Sequence, residues 1–87
     1  MNWNGLEKHR IDLALPLLVV KGTKGVLACG YLNPETFTRT GEAGAIVTGV
    51  KTFDDMLDAK VVAVSQQAAQ LGIRLGCTGR EALEALR

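Results

Sequence analysis

"FDDMLDAKVVAVSQQAAQL", Phe53 to Leu71, decides the architecture of this chain, because two incompatible periodicities run through it. Phe53, Leu57, Val61, Val64, Ala68 and Leu71 recur at intervals of three and four, which places them on one face of a helix. Inside the same stretch "KVVAVS", Lys60 to Ser65, carries three valines, whose branched Cβ atoms favour a strand. The helix is the expectation, with Gly72 ending it in a left-handed conformation and Ile73 following as its apolar partner. Its start agrees: Thr52 stands three residues before Asp55, so the hydroxyl accepts the Asp55 amide hydrogen and the carboxylate in turn accepts that of Thr52. Asp54 and Asp55 then fall in a first turn, where the helix dipole favours negative charge.

Outward from that stretch, "AGAIVTGV" (Ala43 to Val50) reads as a buried strand. "LALPLLVV" (Leu13 to Val20) and "GVLACGYL" (Gly25 to Leu32), joined by "KGTKG", read as a β-hairpin. The first of these strands is apolar on both sides, with Leu13, Leu15, Leu17 and Val19 on one and Ala14, Pro16, Leu18 and Val20 on the other. It therefore calls for cover on both faces, and a monomer is expected to leave Leu18 and Val20 wet. Pro16 fits an edge strand, since it has no amide to give to a ladder. Residues 1–12 read as an N-terminal extension. In "NPETFTRTGE", Asn33 caps, Pro34 opens and Gly41 closes a short helix. In "TGREALEAL", Thr78 and Glu81 have capping-box spacing, with Leu83 and Leu86 facing the core and Cys77 stapled on Ala82. The fold class is α+β (mixed α/β): a single domain over 1–87, a small sheet with an N-terminal β-hairpin and helices packed on it.

Composition narrows the function. The chain has 87 residues, enough for one core but not two, and so short that a partner subunit would add usefully to its stability. Its 10 basic and 9 acidic residues give a net charge of +1, so no nucleic-acid footprint is present; only Lys8, His9 and Arg10 adjoin, as a solvated entry to the first strand. Cys29 and Cys77 make neither a disulfide framework nor a C-x-x-C site, which fits reduced thiols in a cytoplasm. The apolar run from Leu13 to Val20 is too short to span a membrane. As a signal segment it is opened by Asp12 and interrupted by Pro16, and "VLAC", despite its likeness to a lipoprotein box, reads as strand.

Few residues invite chemistry. "DDMLD" spells the D-D-x-x-D of prenyl-diphosphate synthases, but the likeness ends after five residues and no second aspartate-rich motif exists, so no metal is expected. "GAIVTGVKT" has the glycine interval of a phosphate loop, yet Val50 intervenes before Lys51. What remains is a strand running through Gly49, Lys51 and Thr52 into a helix start, where free amides suit an anion and two aspartates oppose one. Cys77 precedes a helix cap, Cys29 sits in mid-strand, and the single histidine, His9, is remote from both in sequence, so a Cys/His nucleophile is not expected. Ser65, the single serine, lacks a nucleophile elbow.

"CGYLNPETF" (Cys29 to Phe37), "GEAGAIVTGVKTFDDMLDAKV" (Gly41 to Val61) and "LGIRLGCTGREALEAL" (Leu71 to Leu86) together resemble the YunC-like family of uncharacterised bacterial and archaeal proteins, and the likeness runs from Leu15 onward. The resemblance implies a small α/β domain whose N-terminal β-region, here 13–32, mediates tetramerisation. It also implies methionine where Cys77 stands in "GCTGREAL", which weakens a catalytic thiol there.

The leading expectation is a cytoplasmic homo-oligomeric module that binds a small metabolite or a protein, with no cofactor. Cys29, Asn33, Thr48, Lys51, Thr52, Asp54 and Asp55 are its candidate ligand residues, gathered near the end of the Ala43 strand, where α/β sheets place ligands. The alternatives are a small enzyme using Cys29 with Lys51 and Asp54 or Asp55, and a purely structural subunit.

Overall fold

The computed structural model describes residues 1–87 as a five-stranded sheet carrying four short helices. The strands are β1 (Glu7–Asp12), β2 (Pro16–Lys21), β3 (Gly25–Ala28), β4 (Ala43–Val47) and β5 (Val61–Val64), in that spatial order. The helices are α1 (Pro34–Thr40), α2 (Phe53–Asp58), α3 (Gln66–Gln70) and α4 (Gly79–Leu86). Neighbouring strands are antiparallel except β3 and β4, which run parallel because α1 lies in the crossover between them. The class is α+β, as the sequence reading has it.

The long helix expected over Phe53–Leu71 does not form. It breaks into α2, β5 and α3, with Ala59 already extended at φ −73°, ψ 151°. Two forces outweigh the helical pattern. The outer edge of β4 would lose its ladder without β5, and three stiff valines suit that ladder. Ser65 then starts α3 as its cap: its hydroxyl accepts from the Ala68 amide at 3.2 Å and the Gly44 amide at 2.9 Å, and donates to the Glu42 carbonyl at 2.9 Å. The misleading period has a structural cause. A register shift between Ile46 and Val47 leaves Val62 as an extra residue, so Val61 and Val64, three apart, stand opposite Val47 and Ala45 on one face. Val62 turns to solvent. Gly72, at φ +88°, and buried Ile73 do close the segment as anticipated.

The N-terminal region departs from expectation in three ways. Glu7–Asp12, read as part of an extension, is β1, and it pairs with all of β2. Its charged residues are exposed on both sides, the mark of an edge strand. Pro16 is therefore not on an edge: it opens an internal strand opposite Asp12, a first-residue position that proline tolerates. Leu13–Leu15 is the β1–β2 turn, and the expected strands ending at Leu32 and Val50 stop at Ala28 and Val47. Leu18 and Val20 are not wet but wholly buried.

Those two residues, with Leu27, Ala45, Val47 and Val61, form the sheet side of the core. Met56 and Leu57 of α2 and Ala82, Leu83 and Leu86 of α4 cover it. α4 approaches closely because residue 79 is glycine; a Cβ there would strike the Met56 carbonyl. On the opposite face Phe37 of α1 lies flat over Gly44 for the same reason. No helix is long and apolar enough to cross a membrane.

Candidate ligand-binding site

Parallel strands end on the same side of a sheet, so the loops that follow β3 and β4 leave side by side. Between them lies an open cleft of about 380 Å³. Cys29, Gly30 and Tyr31 supply one wall and Thr48, Gly49, Val50 and Lys51 another, while Leu15 and Pro16 of the β1–β2 turn close a third side. Tyr31 ties that turn in place, its hydroxyl accepting a hydrogen bond from the Leu15 amide at 3.3 Å.

Three of the seven residues singled out from sequence, Cys29, Thr48 and Lys51, line this cleft. Cys29 is buried, and its Sγ accepts from the Leu18 amide at 3.3 Å, a contact that stitches β3 to β2. The other four do not line the cleft. Asn33 is the α1 cap, its Oδ1 accepting from the Glu35 amide at 2.9 Å. Thr52 is the α2 cap, its Oγ1 accepting from the Asp55 amide at 3.0 Å. Asp55 does not return a bond to the Thr52 amide; its Oδ2 takes the Lys51 amide instead, at 3.1 Å, and so fixes the loop that carries Lys51. Asp54 stands exposed in the first turn, where its charge favours the helix.

Of the residues of the enzyme alternative, Cys29 and Lys51 line the cleft, whereas Asp54 and Asp55 belong to the start of α2. His9 is on β1, paired at 3.3 Å with Glu7. No three His, Cys, Asp or Glu side chains converge as a metal site would require. Sequence reasoning missed Leu15, Pro16, Gly30, Tyr31, Gly49 and Val50. The strand readings absorbed Gly30, Tyr31, Gly49 and Val50, although "CGY" and "TGV" each place a glycine just past the end of a strand.

Comparison with known proteins adds the family. The model of a domain of unknown function, DUF1805, matches residues 28–86, more than half of the chain. The chain belongs to the DUF1805 family. A relative, an uncharacterised protein called YunC from Bacillus subtilis (strain 168), is 36% identical over 70 residues, covering 76% of this chain and 69% of the relative. A crystal structure of a protein of unknown function from Thermoplasma acidophilum superposes with a TM-score of 0.81 at 39% identity, covering 94% of this chain and 93% of that one. The YunC-like resemblance is thereby established, and the cleft loops, from Cys29 on, lie within the DUF1805 match.

Proposed function

We propose that this protein is a homo-oligomeric binding module that holds a small molecule in the cleft at the carboxyl ends of β3 and β4. One observation carries the reading: the cleft combines apolar walls with a few polar groups at the position where open α/β sheets receive ligands, and its volume lies in the range of small-molecule sites. The oligomeric part rests on the apolar turn and edge of the β1–β2 hairpin, where Ile11, Leu13 and Leu15 are 55%, 51% and 60% exposed. A tetramer joined through this N-terminal region is the form that the family resemblance favours. A reducing cytoplasmic setting accords with Cys29 and Cys77, both free thiols. A thermal-shift screen of nucleotides, sugars, amino acids, organic acids and metal ions tests the binding role. A true ligand at a hundredfold its Kd stabilises by about 2.7 kcal/mol, a readily measured rise in Tm. A folded protein whose Tm no compound raises would refute the small-molecule role.

A further inference from the structure

The loops beside the cleft leave five backbone donors unused. The amides of Gly30, Tyr31, Thr48, Gly49 and Val50 make no hydrogen bond within the chain, whereas Cys29 and Lys51, on either side of them, do. All five residues line the cleft, and Val50 is the most enclosed of them. Lys51 is the one cationic side chain there, and no carboxylate lines the walls. Neither Asp54 nor Asp55, which would repel an anion, lines the cleft, and the Asp55 carboxylate is engaged by the Lys51 amide.

Resting on the cleft reading above, we infer that the ligand is a small organic anion. Its carboxylate or phosphate head meets the free amides of the Gly30–Tyr31 and Thr48–Val50 loops and the Lys51 ammonium. Its compact apolar body lies against Leu15, Pro16 and the Tyr31 ring. Successive backbone N–H groups of this kind form an anion-binding concavity, and hydrogen bonds to a charged oxygen are about twice as strong as neutral ones. The site needs no contribution from the first turn of α2, whose Asp55 and Met56 amides are already bonded to Thr52.

Amide chemical-shift titrations of the nitrogen-15-labelled protein with hexanoate, phenyl phosphate and 1-hexanol test this. At least one of the two anions is expected to move the Gly30, Tyr31, Thr48, Gly49 and Val50 resonances and to bind about tenfold or more tightly than 1-hexanol. Which anion binds better separates a carboxylate from a phosphate site. Lys51→Met is expected to weaken the anion about tenfold and leave 1-hexanol unchanged. Equal binding of 1-hexanol and both anions, or an anion affinity indifferent to Lys51→Met, would overturn the anion assignment while the cleft still binds. Silence of all five resonances toward all three probes would overturn the cleft reading as well.

Discussion

Single residues in this fold are constrained by close approach more than by chemistry. Gly44 lies under the Phe37 ring with no room for a methyl group, so Gly44→Ala forces α1 off the sheet. The expected cost is about 1 to 3 kcal/mol, the usual penalty of overpacking, measured by urea denaturation; an unchanged midpoint would mean that Phe37 simply swings aside. Thr52 poses the complementary case of a polar residue with a purely structural task. Thr52→Ala removes the hydrogen bond to the Asp55 amide and is expected to destabilise by about 0.5 to 2 kcal/mol. Magnesium should not restore that loss. Rescue by magnesium would return the aspartate cluster to consideration as a site. The cap itself was legible, because Thr-x-x-Asp ahead of an apolar period has one local solution. The destination of the Asp55 carboxylate was not, because a choice between two adjacent amides depends on how the preceding loop arrives.

At the scale of elements, α4 shows what sequence conveys best. Its capping box is complete: the Thr78 hydroxyl accepts from the Glu81 amide at 3.2 Å, and the Glu81 carboxylate accepts from the Thr78 amide at 3.1 Å. That backbone hydrogen bond, with help from the Thr78 hydroxyl, holds the Glu81 carboxyl below the ordinary glutamate range. A lowered folded value means that the unfolded chain binds the proton more tightly. The contribution is therefore full above the ordinary glutamate pKa and fades as pH falls through the folded value. Glu81→Gln should thus lower Tm more at neutral pH than at about pH 3, modestly because the group is exposed. An equal deficit at both pH values would show that the carboxylate charge is irrelevant to the cap. β5 shows the opposite situation. Its strand character depends on β4 waiting to be paired, and its phase depends on a one-residue bulge. Neither is local, so Val61 and Val64 counterfeited a helical repeat.

For the whole molecule, the fold class, the helix starts at Asn33, Thr52 and Thr78 and the helix ends at Gly41 and Gly72 could be read from the chain, but not the Ser65 cap of α3 or the partner of its first strand. A charged segment such as "EKHRID" has no apolar alternation, and only the hydrogen-bonding edge of β2 makes a strand of it. The cleft was legible only in part for a similar reason. Thr48 and Lys51 follow a recognisable strand, whereas Leu15 reaches the site from the β1–β2 turn, held there by the Tyr31 hydroxyl of the loop after β3. That turn also bears on assembly. Because Leu18 is core, the informative variant is Leu13→Lys, which charges the exposed turn without touching the cleft or the interior. Light scattering at micromolar concentration should find the wild type as an oligomer and Leu13→Lys as a smaller species of the same fold. A wild type that stays monomeric and soluble would end the oligomer proposal.

The two margins of the sheet differ in valence. β5 is interrupted by its bulge, and its outer side is occupied near Val61, whose amide donates to the Cys77 carbonyl at 2.7 Å and whose carbonyl accepts from the Gly76 amide at 2.8 Å. β1 is regular over six residues and has no neighbour beyond it. A polymer chemist would describe such a unit as monofunctional. Strand addition has one reactive end, so joining two β1 margins about a twofold axis consumes both and terminates growth. If chains join through this ladder, it is expected to stop at pairs rather than propagate into a fibril.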